Sequence, residues 1–181
     1  MADIFLHLYS KAAEPTSALN APHKYRFAKK KGMDTQPYER SWQLGKTKVL
    51  PDLISRITQA FDISEPFAFA VAPSTTKIFV NDIENEIIKS FPNAINLTTC
   101  FSKINGFDAG KTITVLTDEQ LKNSIVLNED CFKTLVSENI GTILLVDDVF
   151  ALGNTFSAMK LAINDIDKSK TIITAAILRT T

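Results

Sequence analysis

Long apolar runs are missing from this chain, and their absence excludes one class of protein. No segment approaches about 18 consecutive apolar residues, the length that a membrane-spanning helix needs. Residues 1–7 also lack the basic flank and the apolar core of a secretory signal peptide. From these absences we expect a soluble cytoplasmic protein that makes no contact with a membrane.

Cysteine is scarce as well, occurring only as Cys100 and Cys131. Two cysteines this far apart in sequence are too few for a zinc site or for a disulfide framework. We therefore expect both thiols to be reduced and buried.

The chain has no excess of either charge, since 20 basic residues balance 20 acidic ones. This balance supplies no general attraction to nucleic acid. The charges are nevertheless distributed unevenly: residues 1–64 carry ten Lys or Arg against six acids, and residues 65–181 carry ten against fourteen. The front of the chain is basic and the back is acidic.

Apolar periodicity predicts one α/β domain. A chain of 181 residues with 45% apolar residues can bury a sizeable core, and nothing indicates a second independent domain. The patterns predict strands at 67–72, 94–100, 142–149 and 171–178. Helices are expected over 77–91, over 129–138 and from Thr155 onward. The order of strand, helix and strand predicts right-handed parallel crossovers.

The segment 142–155 is the most informative part of the sequence. An apolar strand runs into Asp147 and Asp148, and Gly153 and a helix start at Thr155 follow. Neighbouring residues of a strand point to opposite sides, so we expect a loop to begin at the aspartates and to let both face one crevice. Free backbone amides at the helix start can bind a phosphate. The segment therefore predicts a sugar-phosphate site at the carboxyl end of a central strand.

Two other interpretations of the acidic pair remain open. Clustered carboxylates after an apolar strand also occur in receiver-type signalling domains, where they bind magnesium. In receivers the acidic pair lies near the N-terminus, whereas here it lies near the C-terminus. Two adjacent aspartates at a strand end can also be solvated turn residues with no ligand.

The strand, the acidic pair and the loop resemble the phosphoribosyl pyrophosphate (PRPP) signature of type I phosphoribosyltransferases. The resemblance implies a three-layer, mostly parallel sheet with helices on both faces. It also implies that Asp147 and Asp148 hold the ribose and act in catalysis. The residues implied to wrap the 5′-phosphate are Ala151, Leu152, Gly153, Asn154 and Thr155. The chain departs from the signature at Ala151 and Leu152, where the family usually has hydroxyl residues.

The resemblance extends to two further turns. In the family, the turn after the opening strand binds pyrophosphate, and a basic residue follows the second strand. The matching positions in this chain are Ser74, Thr75, Thr76, Lys77 and Lys103. The segment 101–125 is expected to close over the site and exclude water.

Within the superfamily, residues 66–181 are most similar to the competence-protein-F group. The zinc-binding cysteines often found ahead of that core are missing. Residues 1–65 match less well and are expected to form a basic, hood-like segment that selects the nucleophile. The oligomeric state stays open, with a homodimer as one alternative.

The resemblance implies transfer of phosphoribose from PRPP to a nitrogen nucleophile, with release of pyrophosphate. Magnesium would be the cofactor, held near Asp147 and Asp148 through PRPP itself. A nucleoside monophosphate is an alternative ligand.

The second hypothesis is a non-catalytic module that senses nucleotides or binds protein or nucleic acid. The missing loop hydroxyls favour it, and so does a basic run interleaved with aromatics that suits phosphate contacts and base stacking. The candidate contacts to nucleic acid are Lys24, Arg26, Lys29, Lys30 and Lys31. A solvated helix face is the alternative interpretation of this run.

Overall fold

The computed structural model describes residues 3–8, 17–60, 62–74, 77–104 and 114–180. Helices and strands alternate along most of these ranges. In chain order, the elements are β1 (Asp3–Leu8), α1 (Ala21–Lys31), α2 (Gln36–Ala60), β2 (Phe67–Val71), α3 (Lys77–Ser90), β3 (Ile95–Asn96), β4 (Phe101–Lys103), α4 (Asp118–Lys122), β5 (Ile125–Leu127), α5 (Glu129–Leu135), β6 (Thr142–Phe150), α6 (Asn154–Ile166) and β7 (Thr171–Arg179).

Five of the strands form one parallel sheet in the order β1-β7-β6-β2-β3. The two nine-residue strands β6 and β7 lie next to each other, and the seven inner residues of each are buried. Such continuous burial arises because helices cover both faces of a parallel sheet, and it explains why these strands show no polar alternation in the sequence. β4 and β5 form a separate antiparallel pair.

Two apolar cores lie on the opposite faces of the sheet. Helices α1, α2 and α3 pack on the face that carries Phe67, Phe69 and Val71 of β2. Helices α4, α5 and α6 pack on the other face, to which β2 contributes Ala68 and Ala70. The period-two alternation along β2 separates the two sets of side chains. The prediction of an α/β protein with a mostly parallel sheet and packed helices is confirmed.

The N-terminal segment shares this sheet and its core. β1 pairs with β7, and the buried side chains of Tyr25 in α1 and Trp42 in α2 each meet the ring of Phe79 edge-on. Trp42 Nε1 donates a hydrogen bond of 2.8 Å to Asp82 on α3, and Lys46 Nζ lies 2.9 Å from the same carboxylate. The described part of residues 1–65 is therefore packed onto the sheet, and its role as a hood stays a prediction.

The predicted elements agree with the structure best where the apolar pattern is longest. β2, α3, β6, α6 and β7 begin and end within a few residues of their predicted bounds. The strand predicted at 94–100 is shorter, because only Ile95–Asn96 pairs with β2 and a 3-10 turn follows at Thr98–Cys100. Within the described part of the chain, no helix has the length and apolar character to cross a membrane.

The expectation of two reduced thiols is wrong. Cys100 is the last residue of the 3-10 turn, and Cys131 lies in α5. A disulfide joins them, with their Cα atoms 5.6 Å apart. This spacing lies within the range that disulfides adopt. The sequence separation of 31 residues was uninformative because folding brings α5 against the turn after β3.

The disulfide gives a direct test of this part of the fold. Denatured, unreduced protein should show no thiol that reacts with a thiol-specific dye. Reduction should lower the free energy of unfolding by about 3 kcal/mol, because the open chain gains conformational entropy. Denaturant titration with and without reductant measures this loss, and a Cys100→Ala, Cys131→Ala variant should not respond to reductant. Two reactive thiols in the unreduced chain would contradict the assignment.

Candidate functional site

The order of the strands makes the carboxyl ends of β2 and β6 the point where the chain connections diverge. From β2 the chain crosses through α3 to β3 on one side, whereas β6 lies on the other side of β2 and leads to β7. The connections therefore leave these two strands in opposite directions, and in open parallel sheets ligands bind at such a point. The backbone N–H of Ala72 donates to the carbonyl of Val146 at 2.7 Å and ties the two strand ends together.

Asp147 and Asp148 lie at this edge, within β6 rather than in the loop that we expected. Their carboxylates nevertheless converge on one cation. The Nη2 atom of Arg26, on α1, donates to Oδ1 of Asp148 and lies 3.7 Å from Oδ1 of Asp147. The backbone N–H of Asp148 also donates to Oδ1 of Asp147 at 2.8 Å. The guanidinium thus bridges the pair, although neighbouring strand residues normally diverge.

Both carboxylates are deeply buried, with 5% of Asp147 and none of Asp148 exposed. Burial raises the pKa of Asp147 well above its ordinary value, and the negative charge of Asp148 raises it further. The positive charge of Arg26 opposes this shift. Oδ2 of Asp148 is buried and accepts no hydrogen bond from the described residues. An unsatisfied buried carboxylate oxygen is costly, so a ligand hydroxyl that donated to this atom would be stabilised.

Helix α1 carries a second titratable group toward the same place. His23 lies three residues before Arg26, so both side chains occupy one face of the helix. Burial lowers the pKa of His23, and the neighbouring charges of Lys24 and Arg26 lower it further, whereas Asp148 raises it. We therefore expect a neutral imidazole at pH 7.

The approach of α1 to the acidic pair was missed by sequence reasoning. Arg26 was predicted only as a contact to nucleic acid, and His23 was not predicted at all. The spacing of His23 and Arg26 is helical, but no local pattern links Arg26 to Asp148, which lies 122 positions later in the chain.

In the turn after β6, the backbone at Gly153 lies close to the ring of Phe150. Gly153 has φ of +75°, and a Cβ atom added there would lie 2.9 Å from Cζ of Phe150. Only glycine fits both constraints. Helix α6 begins at the next residue without a side-chain cap. The backbone amides of its first turn, including those of Thr155 and Phe156, have no intrahelical acceptor and can bind an anion.

Asn154, predicted as a phosphate ligand, holds a neighbouring segment with its side chain. Its Oδ1 accepts from the backbone N–H of Leu116 at 3.2 Å, and its Nδ2 donates to the carbonyl of Thr114 at 3.0 Å. Asn154 is 97% buried, and its side-chain amide both accepts and donates a hydrogen bond. It therefore fixes residues 114–116 against the start of α6. Thr155, the next residue, is half-buried.

The remaining predicted ligands are distributed over three places. Ala151 and Leu152 are exposed in the turn after β6, and Ser74 is half-buried in the turn after β2. Lys103 lies in β4, outside the parallel sheet, so its proximity to pyrophosphate stays a prediction. Thr75 and Thr76 lie outside the described residues, as do residues 105–113 of the segment expected to close over the site. Lys77 is the first residue of α3.

The predicted basic run lies on α1. Lys24 and Arg26 are half-buried, whereas Lys29, Lys30 and Lys31 are exposed in the last turn, where positive charge stabilises the helix end. Tyr25, an aromatic residue within this run, is buried and is therefore not available for stacking on a base. Binding of nucleic acid by the exposed lysines stays a prediction.

The raised pKa of Asp147 predicts how stability depends on pH. Well below the ordinary aspartate pKa of about 3.9, the carboxyl is protonated in both the folded and the unfolded chain. At higher pH the unfolded chain releases the proton first, so stability is lost as the pH rises through the folded-state pKa. Asp147→Asn removes this loss, so the variant should gain stability relative to the wild type as the pH rises from 4 to 8.

Urea titration between pH 4 and pH 8 measures this difference. Asp165→Asn, which neutralises an exposed aspartate on α6, serves as the matched control. A stability difference between wild type and Asp147→Asn that stays constant over this range would contradict the assignment.

Gly153 offers a second test. Gly153→Ala should lower the free energy of unfolding by about 1–2 kcal/mol, because alanine is strained at positive φ and its methyl group meets Phe150. Gly141→Ala is the control, since no atom lies within 4 Å of an added Cβ there. Equal stabilities of the two variants in chemical denaturation would exclude the strained turn.

Comparison with known proteins gives no family for this chain. No protein-family model matches the chain. No curated protein matches it with significant similarity either.

Proposed function

We propose that the carboxyl ends of β2 and β6 bind a phosphorylated ribose, either PRPP or a nucleoside monophosphate. The observation that carries this proposal is a pair of buried carboxylates on β6 followed, after a three-residue turn, by the uncapped start of α6. The carboxylates suit the hydroxyls of a sugar, and the helix start suits a phosphate. A single ligand with a sugar and a phosphate would bind the carboxylates before the turn and the backbone amides after it.

The ribose is assigned to the acidic pair. Its hydroxyls donate to carboxylate oxygens in charge-assisted hydrogen bonds, which are stronger than those between neutral groups. Oδ2 of Asp148 is the acceptor that has no partner among the described residues. Binding of a ribose hydroxyl there would relieve the cost of an unsatisfied buried oxygen.

The 5′-phosphate is assigned to the turn 151–153 and the first turn of α6. Backbone amides supply the contacts, because Ala151 and Leu152 have no side-chain donor. Because Gly153 has no side chain, the backbone can pass close to the ring of Phe150 just before α6 begins. The positive end of the helix dipole adds to the attraction.

The proposed reaction transfers phosphoribose from PRPP to a nitrogen nucleophile. The bond from C1 to the pyrophosphate oxygen breaks, positive charge grows on the ribose ring, and the nucleophile binds to C1. Asp147 and Asp148 orient the ring and stabilise that positive charge electrostatically. The low polarity around two buried carboxylates strengthens this interaction relative to water.

A magnesium ion fits this site only together with the ligand. Among the described residues, no group of three or more metal-ligating side chains is present. Asp147 and Asp148 supply carboxylate oxygens, and Mg²⁺ commonly binds through one or two carboxylates plus substrate phosphates. When bound, the ion would neutralise the negative charge of the departing pyrophosphate.

A non-catalytic role is the second candidate function. The observation that favours it is the bridge from Arg26 to both aspartates, since the guanidinium occupies oxygens that a ribose would need. The missing hydroxyls at Ala151 and Leu152 also remove contacts to the phosphate. The protein would then sense nucleotides or bind protein or nucleic acid with the same fold.

The acidic pair is the part of the proposal to test by mutation. Asp147→Asn combined with Asp148→Asn should abolish magnesium-dependent binding of PRPP in calorimetry, because the amides no longer attract the ribose hydroxyls and the ion. Circular dichroism should show an unchanged fold. Asp165→Asn, on the exposed side of α6, should bind PRPP like the wild type. Unchanged binding by the double variant would refute the site.

Turnover separates the two candidate functions. Pyrophosphate release from PRPP should be measured with purines, pyrimidines and orotate as nitrogen nucleophiles. Sustained release with any of these bases would exclude the non-catalytic role. Binding of PRPP without release across the whole set would favour it.

A further inference from the structure

Arg179 is the last residue of β7, at the carboxyl edge of the sheet and next to the strand that carries the acidic pair. β6 and β7 pair in parallel, and Arg179 lies opposite Phe150, the last residue of β6. Paired residues of neighbouring strands direct their side chains to the same face of a sheet. The guanidinium carbon of Arg179 lies over the ring of Phe150, 5.8 Å from its centroid. This cation–π contact positions the charge of a residue that is exposed at the end of the sheet.

The same ring also contacts the start of α6. A Cβ atom added at Gly153 would lie 2.9 Å from Cζ of Phe150. The ring of Phe156, in the first turn of α6, has its centroid 6.0 Å from that of Phe150. Arg179 and the start of α6 therefore pack against one aromatic side chain. The guanidinium is thereby brought beside the turn 151–153, to which the 5′-phosphate is assigned.

Two sources of positive potential are thus adjacent. The start of a helix carries a partial positive charge, which acidic side chains in the first turn can offset. α6 has no acidic residue in its first turn, and the full charge of Arg179 lies on the neighbouring ring. Phe150 positions that charge but does not neutralise it, because the ring has no net charge. An anion bound between the guanidinium and the helix start would be attracted by both.

A separate observation indicates a ligand at this strand end. Oδ2 of Asp148 is buried and has no hydrogen-bond partner among the described residues, so a hydroxyl that donated to it would be stabilised. A sugar phosphate whose hydroxyl contacts this oxygen before the turn has its phosphate directed toward the turn and α6. Ala151 and Leu152 offer that phosphate no side-chain donor. Arg179 offers one from the neighbouring strand.

We propose that Arg179 is a phosphate-binding residue of this site, where it contacts the 5′-phosphate together with the backbone amides of α6. The inference rests on the proposed function, and it names the side chain that replaces the hydroxyls missing at residues 151 and 152. Arginine suits this role because its planar guanidinium can donate two parallel hydrogen bonds to a phosphate. The ring of Phe150 restricts the guanidinium in advance, so less side-chain freedom is lost on binding.

Calorimetry with ribose 5-phosphate and with PRPP, each in the presence of magnesium, tests the proposal. Arg179→Gln should weaken the binding of both ligands by about tenfold to a hundredfold, the loss expected for one charged hydrogen-bonding partner. The factor should be the same for the two ligands, because both carry the 5′-phosphate. Arg179→Lys keeps the charge without the planar fork, so its affinities should lie between those of the wild type and Arg179→Gln.

Two further variants isolate the contact between the ring and the guanidinium. Phe150→Leu keeps an apolar side chain but removes the ring, and it should weaken binding of ribose 5-phosphate by about twofold to fivefold. In the Arg179→Gln background the same change should have no further effect on affinity, because the ring acts through the guanidinium. Arg40→Gln removes an exposed cation from α2 and should bind both ligands like the wild type. Circular dichroism checks the fold of each variant.

The outcomes separate this inference from the proposed function. If wild-type protein binds neither ligand, the ribose-phosphate site is wrong and the role of Arg179 falls with it. If the wild type and Arg179→Gln bind both ligands equally tightly, the role of Arg179 is overturned and the site remains. A loss confined to PRPP would place Arg179 at the pyrophosphate and overturn its assignment to the 5′-phosphate.

The remaining variants keep the inference open to refutation if Arg179→Gln does not fold. Wild-type affinities in both Arg179→Lys and Phe150→Leu would then overturn it. Where Arg179→Gln folds, equal losses in the Lys and Gln variants would show that the charge of residue 179 does not matter, and this result would overturn the inference as well.

Discussion

Two buried carboxylates facing one guanidinium are the constraint around which this protein is arranged. Asp148 is fully buried at the end of β6, and its charge is tolerable there only because Arg26 lies against it. The arginine reaches this position because Tyr25, in the same helix, is anchored in the core against Phe79. The packing of α1 on the sheet and the electrostatics of the strand end thus depend on each other.

The position of the site follows from the sheet. β6 is covered on both faces, so only its carboxyl end can present polar groups to a ligand. Gly153 then turns the chain over Phe150 and starts α6 at once, which brings free backbone amides within a few residues of the acids. Asn154 also connects the start of α6 to residues 114–116, so this earlier segment is held next to the site.

Sequence reasoning succeeded where a local pattern had one physical interpretation. The apolar runs of β2, β6 and β7 indicated covered parallel strands, and the four-residue spacing of Phe79, Ile83 and Ile87 indicated α3. It failed where the deciding contact is distant. Cys100 and Cys131 were expected to be separate thiols, and the aspartates were expected in a loop, because neither the pairing of β6 with β7 nor the docking of α5 is visible in neighbouring residues.

By itself, the sequence determined the order of β2, α3, β3, α5, β6, α6 and β7, and the succession of strand, acids, glycine and helix start. These features depend on continuous apolar runs and on an apolar spacing of about four residues, both of which are visible within a short stretch of sequence. Only the tertiary structure decided what the acids contact, since the partner of Asp148 lies 122 residues earlier on α1. A charge buried in the interior requires a counter-charge, but which cation supplies it depends on how the helices dock on the sheet.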